Sequence, residues 1–305
     1  MEFIRSEDPW LNRGLLLIVI FVGLVLFRKL YPTQKEYFSQ ISPFVLRQDN
    51  DVYDSFYMDY YDDLHASESY AEDDFQFIMD TTNPTETSVF LDIGCGTGLL
   101  LKTIEDNDLF AFGVDKSKSM KEKCMDRLRH TEVFCNDVLA EPMLYDNNTF
   151  THITCTHFTI YEMEKKETLM RHCYNWLQEG GFFIVHLVDP DGYKKILPLL
   201  NAENNHHHVK SDVLKTNVEY NDYTYRGEHK KIKDTEHIFT ETFTDRYTDH
   251  VRQNQIKLYM ESKQKVVELA TICGFTVLKE MTYNKKIQDP HQYLVIFQKG
   301  GIFPL

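Results

Sequence analysis

Val89-Phe90-Leu91-Asp92-Ile93-Gly94-Cys95-Gly96-Thr97-Gly98 decides the fold of this 305-residue chain. An apolar run that reads as a buried strand ends in an acid and breaks into three alternating glycines, and the helix-compatible Leu99 to Ile104 follows at once. Glycine lets the backbone turn tightly and approach a ligand with no Cβ in the way, so strand, glycine loop and helix start in this order form a site for a nucleoside cofactor. The dinucleotide fingerprint requires glycine at the first, third and sixth places; here the sixth place is Leu99 and the fifth is Gly98.

Working outward, Leu109 to Val114 reads as a second strand with Asp115 at its end. An acid at the carboxyl end of a parallel strand, roughly twenty residues past the first glycine, accepts hydrogen bonds from ribose hydroxyls. The other reading of Asp115 is an N-cap for a helix over Ser117 to Arg129, and both roles can coexist. Glu132 to Cys135 and Phe150 to Thr156 are further strands. Glu164 to Gln178 puts Leu169, Cys173, Trp176 and Leu177 on one helical face, stops at Gly180-Gly181, and is followed by a strand from Phe182 to Val188. This alternation predicts an α/β fold with a doubly wound, mostly parallel sheet of about seven strands.

The order and spacing over residues 85 to 190 resemble class I S-adenosylmethionine-dependent methyltransferases of the small-molecule type, whose first motif is Asp-x-Gly-x-Gly-x-Gly. His157 to Tyr161 and Trp176-Leu177 are also similar to uncharacterised methyltransferase-like proteins of large DNA viruses. The resemblance implies S-adenosylmethionine as cofactor. It implies a site formed by Asp92, Gly94, Cys95, Gly96 and Gly98, by Asp115 with Lys116, and by Asp137, which meets the adenine amino group, with its neighbours Asn136 and Val138. Thr156 closes the set at the end of the fourth strand, and Tyr57 and Tyr61, four apart on a helix, close over the cofactor or else pack on the domain. A helix over Leu258 to Cys273 and strands over 275–283 and 292–298 resemble the closing elements of that sheet, with the last strand antiparallel. The segment 190–251, rich in Tyr, Thr and Phe after residue 218, reads as an antiparallel insertion. By resemblance it is a lid, with an edge extension as the other reading.

Methyl transfer mainly needs alignment of donor and acceptor. If a base serves it, His157 at the end of the fourth strand is best placed, whereas His152 inside that strand reads as structural. A net charge of −14 argues against nucleic acid as substrate. The loop after the fourth strand also lacks the Asn/Asp-Pro-Pro-aromatic signature of base-amine methylation. The six cysteines are scattered as reduced core thiols, and adjacent His206, His207 and His208 cannot easily converge on one ion, so no metal is expected.

Gly14 to Phe27 is an apolar run bounded by Arg13 and by Arg28-Lys29. As a helix it spans roughly 21 Å, and from Trp10 to Tyr31 about 33 Å, enough for a hydrocarbon core of ~30 Å. A cleaved signal peptide is the alternative, but the amino end is acidic and no small-x-small site follows. The expected organisation is a transmembrane anchor over 1–31, a linker and helical cap over 32–84, and a methyltransferase domain over 85–305. Arg28, Lys29 and Lys35 put that domain on the cytosolic side. The expected function is a membrane-anchored methyltransferase for a small-molecule or lipid-soluble acceptor; a degenerate tethered interaction module and a protein methyltransferase are the alternatives.

Overall fold

The computed structural model describes residues 17–23, 42–65, 67–191, 208–210, 213–220, 222–283 and 291–300. The chain divides into two units, Met1–Ile41 and Ser42–Leu305. In the first, residues 17–23 form a helix (α1) with exposed apolar side chains. Among the described residues no helix is long and apolar enough to cross a membrane. The rest of the expected anchor lies outside them.

The second unit runs β1 (Phe44–Gln48), α2 (Ser55–His65), α3 (Ser67–Thr82), β2 (Val89–Ile93), α4 (Leu99–Asp106), β3 (Phe110–Asp115), α5 (Lys118–Arg127) and β4 (Glu132–Cys135). There follow β5 (Phe150–Cys155), α6 (Lys166–Trp176), β6 (Leu177–Val188), β7 (His208–Lys210), β8 (Val213–Glu219) and β9 (Tyr223–Lys231). The chain continues with β10 (Glu236–Asp245), β11 (Val251–Tyr259), α7 (Lys263–Ile272), β12 (Phe275–Thr282) and β13 (Gln292–Lys299).

The main sheet has seven strands in the order β12-β13-β6-β5-β2-β3-β4. The pairs β2–β3, β3–β4, β2–β5 and β5–β6 are parallel, and β13 runs antiparallel to both its neighbours. Successive side chains of a strand face opposite sides. Ile184, Leu294 and Ile296 therefore join the core under α3, α4 and α5, with Tyr70, Leu101 and Ile104. Phe183 and Phe297 face the other way, towards Phe275 and, through it, Tyr174 of α6. The chain crosses from one side of β2 to the other between β4 and β5, and the carboxyl ends at that switch point are where an open α/β sheet takes its ligand.

The second sheet has six strands in the order β1-β11-β10-β9-β8-β7. It corrects several sequence expectations. The insertion is not confined to 190–251, because β11 carries it to Tyr259, and the helix expected from Leu258 begins at Lys263, capped by Ser262 Oγ on the Lys265 N–H. The buried face of β11 includes Arg252 and Asn254, so its period of two is masked by polar residues. The supposed linker also supplies a strand, since β1 pairs in parallel with β11 from Phe44 opposite Val251 to Gln48 opposite Gln255. Helix α6 ends at Trp176, before the expected Gln178, and Gly180-Gly181 lie within β6.

Helix α2 packs on the inner face of this second sheet. Tyr60 meets Tyr223, Phe56 meets Phe243 edge-on, and the buried Arg252 guanidinium donates to Asp54 Oδ2 at 2.8 Å and to the Val52 carbonyl at 3.1 Å. A buried lysine fastens the start of α6 to the end of β11: Lys166 Nζ donates to the carbonyls of Met163 (2.9 Å) and Tyr259 (2.8 Å) and pairs with Glu261 at 2.6 Å. Hydrogen bonds from a charged group contribute about 1.5–3 kcal/mol. Lys166→Met is therefore expected to lower the thermal midpoint by about 5 °C, at roughly 2–4 °C per kcal/mol for a domain of this size. An unchanged calorimetric midpoint would show that the fastening is redundant.

Candidate active site

A cavity of about 190 Å³ opens at the carboxyl ends of β2, β3 and β4 and beside the turn that follows β5. Gly94, Gly96, Asp115, Lys116, Asn136, Asp137, Val138, Tyr61 and His157 line it, all of them expected from the sequence. A smaller adjoining lobe is lined by Asp92, Cys95 and Thr156, and shares Tyr61, Gly94, Gly96 and His157 with the first. Gly98 and Tyr57 line neither.

Gly98 has a packing role instead. It sits at φ +80°, and a Cβ there would lie 2.4 Å from Cys124 Sγ of α5. Left-handed strain of about 1–2 kcal/mol adds to overpacking of about 1–3 kcal/mol. Gly98→Ala should thus cost about 2–5 kcal/mol, and adding Cys124→Ala should restore the steric part. Denaturant titration of the two variants checks this; equal stabilities would remove the packing explanation. Tyr57 is buried behind the wall, its hydroxyl 2.9 Å from His65 Nε2 and its ring edge-on to Tyr61. The tyrosine that joins Tyr61 in the wall is Tyr53, which precedes α2.

Asp115 is held by the loop it faces. Its Oδ2 accepts from the Gly96 N–H at 3.0 Å and its Oδ1 from the Ser117 N–H at 2.8 Å. It is not a helix cap: Ser117 caps α5 by accepting from Met120, and its Oγ donates to the Tyr53 carbonyl at 2.7 Å. Burial raises the Asp115 carboxyl above the usual range, against the pull of those N–H groups. Asp92 is buried under the loop, accepts from Thr154 Oγ1 at 2.7 Å, and is pushed up to about 7 by burial. Asp137 accepts from the Leu139 N–H at 2.9 Å and leaves its outer edge exposed. The cap is tied over the loop through Asp62, which accepts from Thr97 Oγ1 at 2.6 Å and from Arg127 at 2.8 Å.

The turn after β5 is strained, with His157 and Phe158 both in the left-handed region at φ 49° and 65°. It brings His157 and Glu162 to the cavity. The His157 ring packs edge-on against Tyr70 at 4.9 Å, and burial holds its imidazole down at about 4. His152 is structural: its two nitrogens reach Thr151 and Thr82 at 2.8 and 3.0 Å, and its ring stacks on Phe90. Sequence reasoning missed Tyr53, Glu162 and Tyr259, which come from a loop, a turn and the second sheet and carry no motif. Among the described residues no group of histidine, cysteine and acid side chains could hold a metal. No cysteine is paired, and all but Cys135 are buried.

These residues fit an adenosyl cofactor. Two glycines without side chains face the cavity, a half-buried carboxylate stands at the end of β3, and an exposed one stands at the end of β4. Residues 90–181 match the family described as a methyltransferase domain. An uncharacterized methyltransferase from Alkaliphilus oremlandii is 26% identical over 129 residues, 41% of this chain and 58% of that protein. The chain spans a little over half the length of the curated relatives it matches. Among solved structures, an S-adenosylmethionine-dependent methyltransferase from Clostridium acetobutylicum superposes with TM-score 0.60 at 16% identity, covering 80% of this chain and 98% of that one. The S-adenosylmethionine-bound amino pentose methyltransferase CalS10 of Micromonospora echinaspora superposes with TM-score 0.54 at 15% identity, covering 76% and 91%. By this match residues 90–181 form a methyltransferase domain, and the solved S-adenosylmethionine-dependent methyltransferases share its fold.

Proposed function

We propose that this protein transfers a methyl group from S-adenosylmethionine to a small-molecule acceptor enclosed between the main sheet and the second sheet. The observation that carries the reading is the shared cavity: Gly94, Asp115 and Asp137 form one wall, and Tyr259 of β11 stands in the other. A site closed by a second sheet suits a ligand small enough to be enclosed. The amino pentose methyltransferase among the structural neighbours is a small-molecule enzyme of the same fold. Asp115 would hold the ribose, Asp137 with Asn136 and Val138 the adenine, and the loop from Asp92 to Gly96 the methionyl part. The cofactor supplies an electrophilic methyl group, and the chain's own residues orient the two reactants and exclude water.

The tether belongs to the same proposal and rests on the sequence alone: the run from Trp10 to Tyr31 anchors the chain in a membrane, with the catalytic unit on the cytosolic side. Labelled methyl transfer to small metabolites, lipid extract, protein extract and RNA tests the acceptor class. Fractionation of the full chain, and of a chain lacking residues 1–31, tests the tether. Label in RNA or protein alone would defeat the small-molecule reading, and a full chain that stays in the soluble fraction would defeat the tether.

A further inference from the structure

We infer that the acceptor is an amine, that Glu162 is the group that receives its cation, and that Glu162 takes its proton before methyl transfer. The inference rests on the cofactor assignment above and begins with what that assignment leaves over. Asp115, Asn136, Asp137 and the glycines are occupied by the adenosine. Tyr53, Tyr259 and Glu162 also line the cavity, beside Tyr61, and that assignment gives these three no cofactor group to hold.

Glu162 is built into the cavity lining. Its Oε1 accepts a hydrogen bond from the Tyr53 hydroxyl, and the Tyr53 and Tyr61 rings stand edge to face at 6.4 Å beside it. A carboxylate flanked by aromatic rings suits an organic cation, which the ring faces attract as well. The only cationic side chain lining the cavity among the described residues is Lys116. An anionic acceptor would meet Glu162, Glu164 and Asp115 there.

The chemistry follows from charge. An ammonium has no lone pair, so it must lose a proton before its nitrogen can attack. The N–H proton passes to a Glu162 carboxylate oxygen, leaving a neutral amine and a carboxylic acid. As the N–C bond forms, the methyl–sulfur bond of the cofactor breaks and its electron pair stays on sulfur. The methylated ammonium then leaves, and Glu162 returns its proton to water. Burial moves the two candidate bases in opposite directions: it depresses His157 to about 4, and it raises Glu162 above the ordinary carboxyl range. Lys116 opposes that rise, while Asp115 and Asp49 reinforce it and Tyr53 donates against it. An alcohol holds its proton far too tightly for such a carboxylate.

Matched probe pairs test this: glucosamine against glucose, and benzylamine against benzyl alcohol, titrated by ligand-observed NMR into the full chain saturated with S-adenosylhomocysteine. Each pair differs only in the nitrogen. At least one amine should bind 10-fold or more tightly than its alcohol, and Glu162→Gln, which keeps an acceptor for Tyr53, should abolish that preference. Its affinity for S-adenosylhomocysteine should change less than 3-fold. In labelled transfer to a metabolite extract, the products should be retained by a cation exchanger at pH 7. Glu162→Gln should slow their formation about 100-fold or more, the usual range for a general base, and the deficit should narrow at high pH, where free amine exists in solution. Equal binding of amines and alcohols, no amine binding, an unchanged Glu162→Gln rate, or label only in neutral or acidic products would each overturn the inference. If wild-type protein fails to bind S-adenosylhomocysteine, the cofactor assignment itself falls.

Discussion

Asp115→Ala is expected to lower the affinity for S-adenosylmethionine by about 100-fold or more while leaving the protein folded. A carboxylate that accepts from two ribose hydroxyls makes two charge-assisted hydrogen bonds, each about 1.5–3 kcal/mol. At 1.4 kcal/mol per decade their sum exceeds two decades. The same side chain holds the Gly96 and Ser117 amides, so its removal also loosens the loop that faces the cofactor. Asp115→Asn keeps one acceptor oxygen and should fall between wild type and alanine. Calorimetric titration of the three proteins decides the matter. Equal affinities for wild type and a folded alanine variant would show that Asp115 only braces the loop.

Stability of the cofactor-free protein should peak near pH 6.5 and fall on both sides. Burial holds His65, His152, His157 and His237 down at about 4, and His186 and His229 at about 3. An unfolded histidine titrates near 6.5. Between about 6.5 and 4 the unfolded chain therefore binds protons that the folded chain refuses, and stability is lost as the pH drops. Five carboxyls act in the other direction, because burial raises Asp115, Glu162 and Glu241 as well as Asp92 and Asp74. Burial pushes Asp92 up to about 7 and Asp74 up to about 8, so the folded chain keeps protons that an unfolded aspartate releases near 3.9. The contribution of Asp92 and Asp74 is present at low pH and lost as the pH rises through 7 and 8. Below 6.5 the histidines outnumber the carboxyls and dominate; above it only the carboxyls still titrate. Each group contributes on the order of 1 kcal/mol per pH unit. Urea titrations of the full chain at pH 5, 6.5 and 8 test this, and equal stability at pH 5 and 6.5 would mean that the histidines do not outweigh the carboxyls.

How far the sequence could be read followed how each strand is buried. Strands β2, β5 and β6 are covered by helices on both faces, so they read as continuous apolar runs. The glycines and acids at their ends mark the loops. The second sheet was harder because its inner face is partly polar: His229, His237, Glu241, Arg252 and Asn254 are all buried there. Glu241 is satisfied by the Tyr225 hydroxyl at 2.9 Å, and Arg252 by Asp54, partners that no local pattern displays. The cofactor half of the cavity was legible because a single βαβ run supplies it. The acceptor half was not, because Tyr53, Glu162 and Tyr259 meet only after the two sheets close on each other.

The pairing of β1 with β11 has a consequence for synthesis. The Gln48 and Gln255 side chains that bond across it are 207 residues apart in sequence. On the ribosome β1 must wait, unpaired, until nearly the whole chain has emerged. Loop closure over such a distance is entropically slow, and non-local strand pairing of this kind delays folding. The nucleotide-binding strands from β2 to β6 lie close together in sequence and are free to assemble first, with the tyrosine wall set in place only at the end. A nascent chain arrested before residue 251 would then hold most of its cofactor loop but leave the acceptor side open to water.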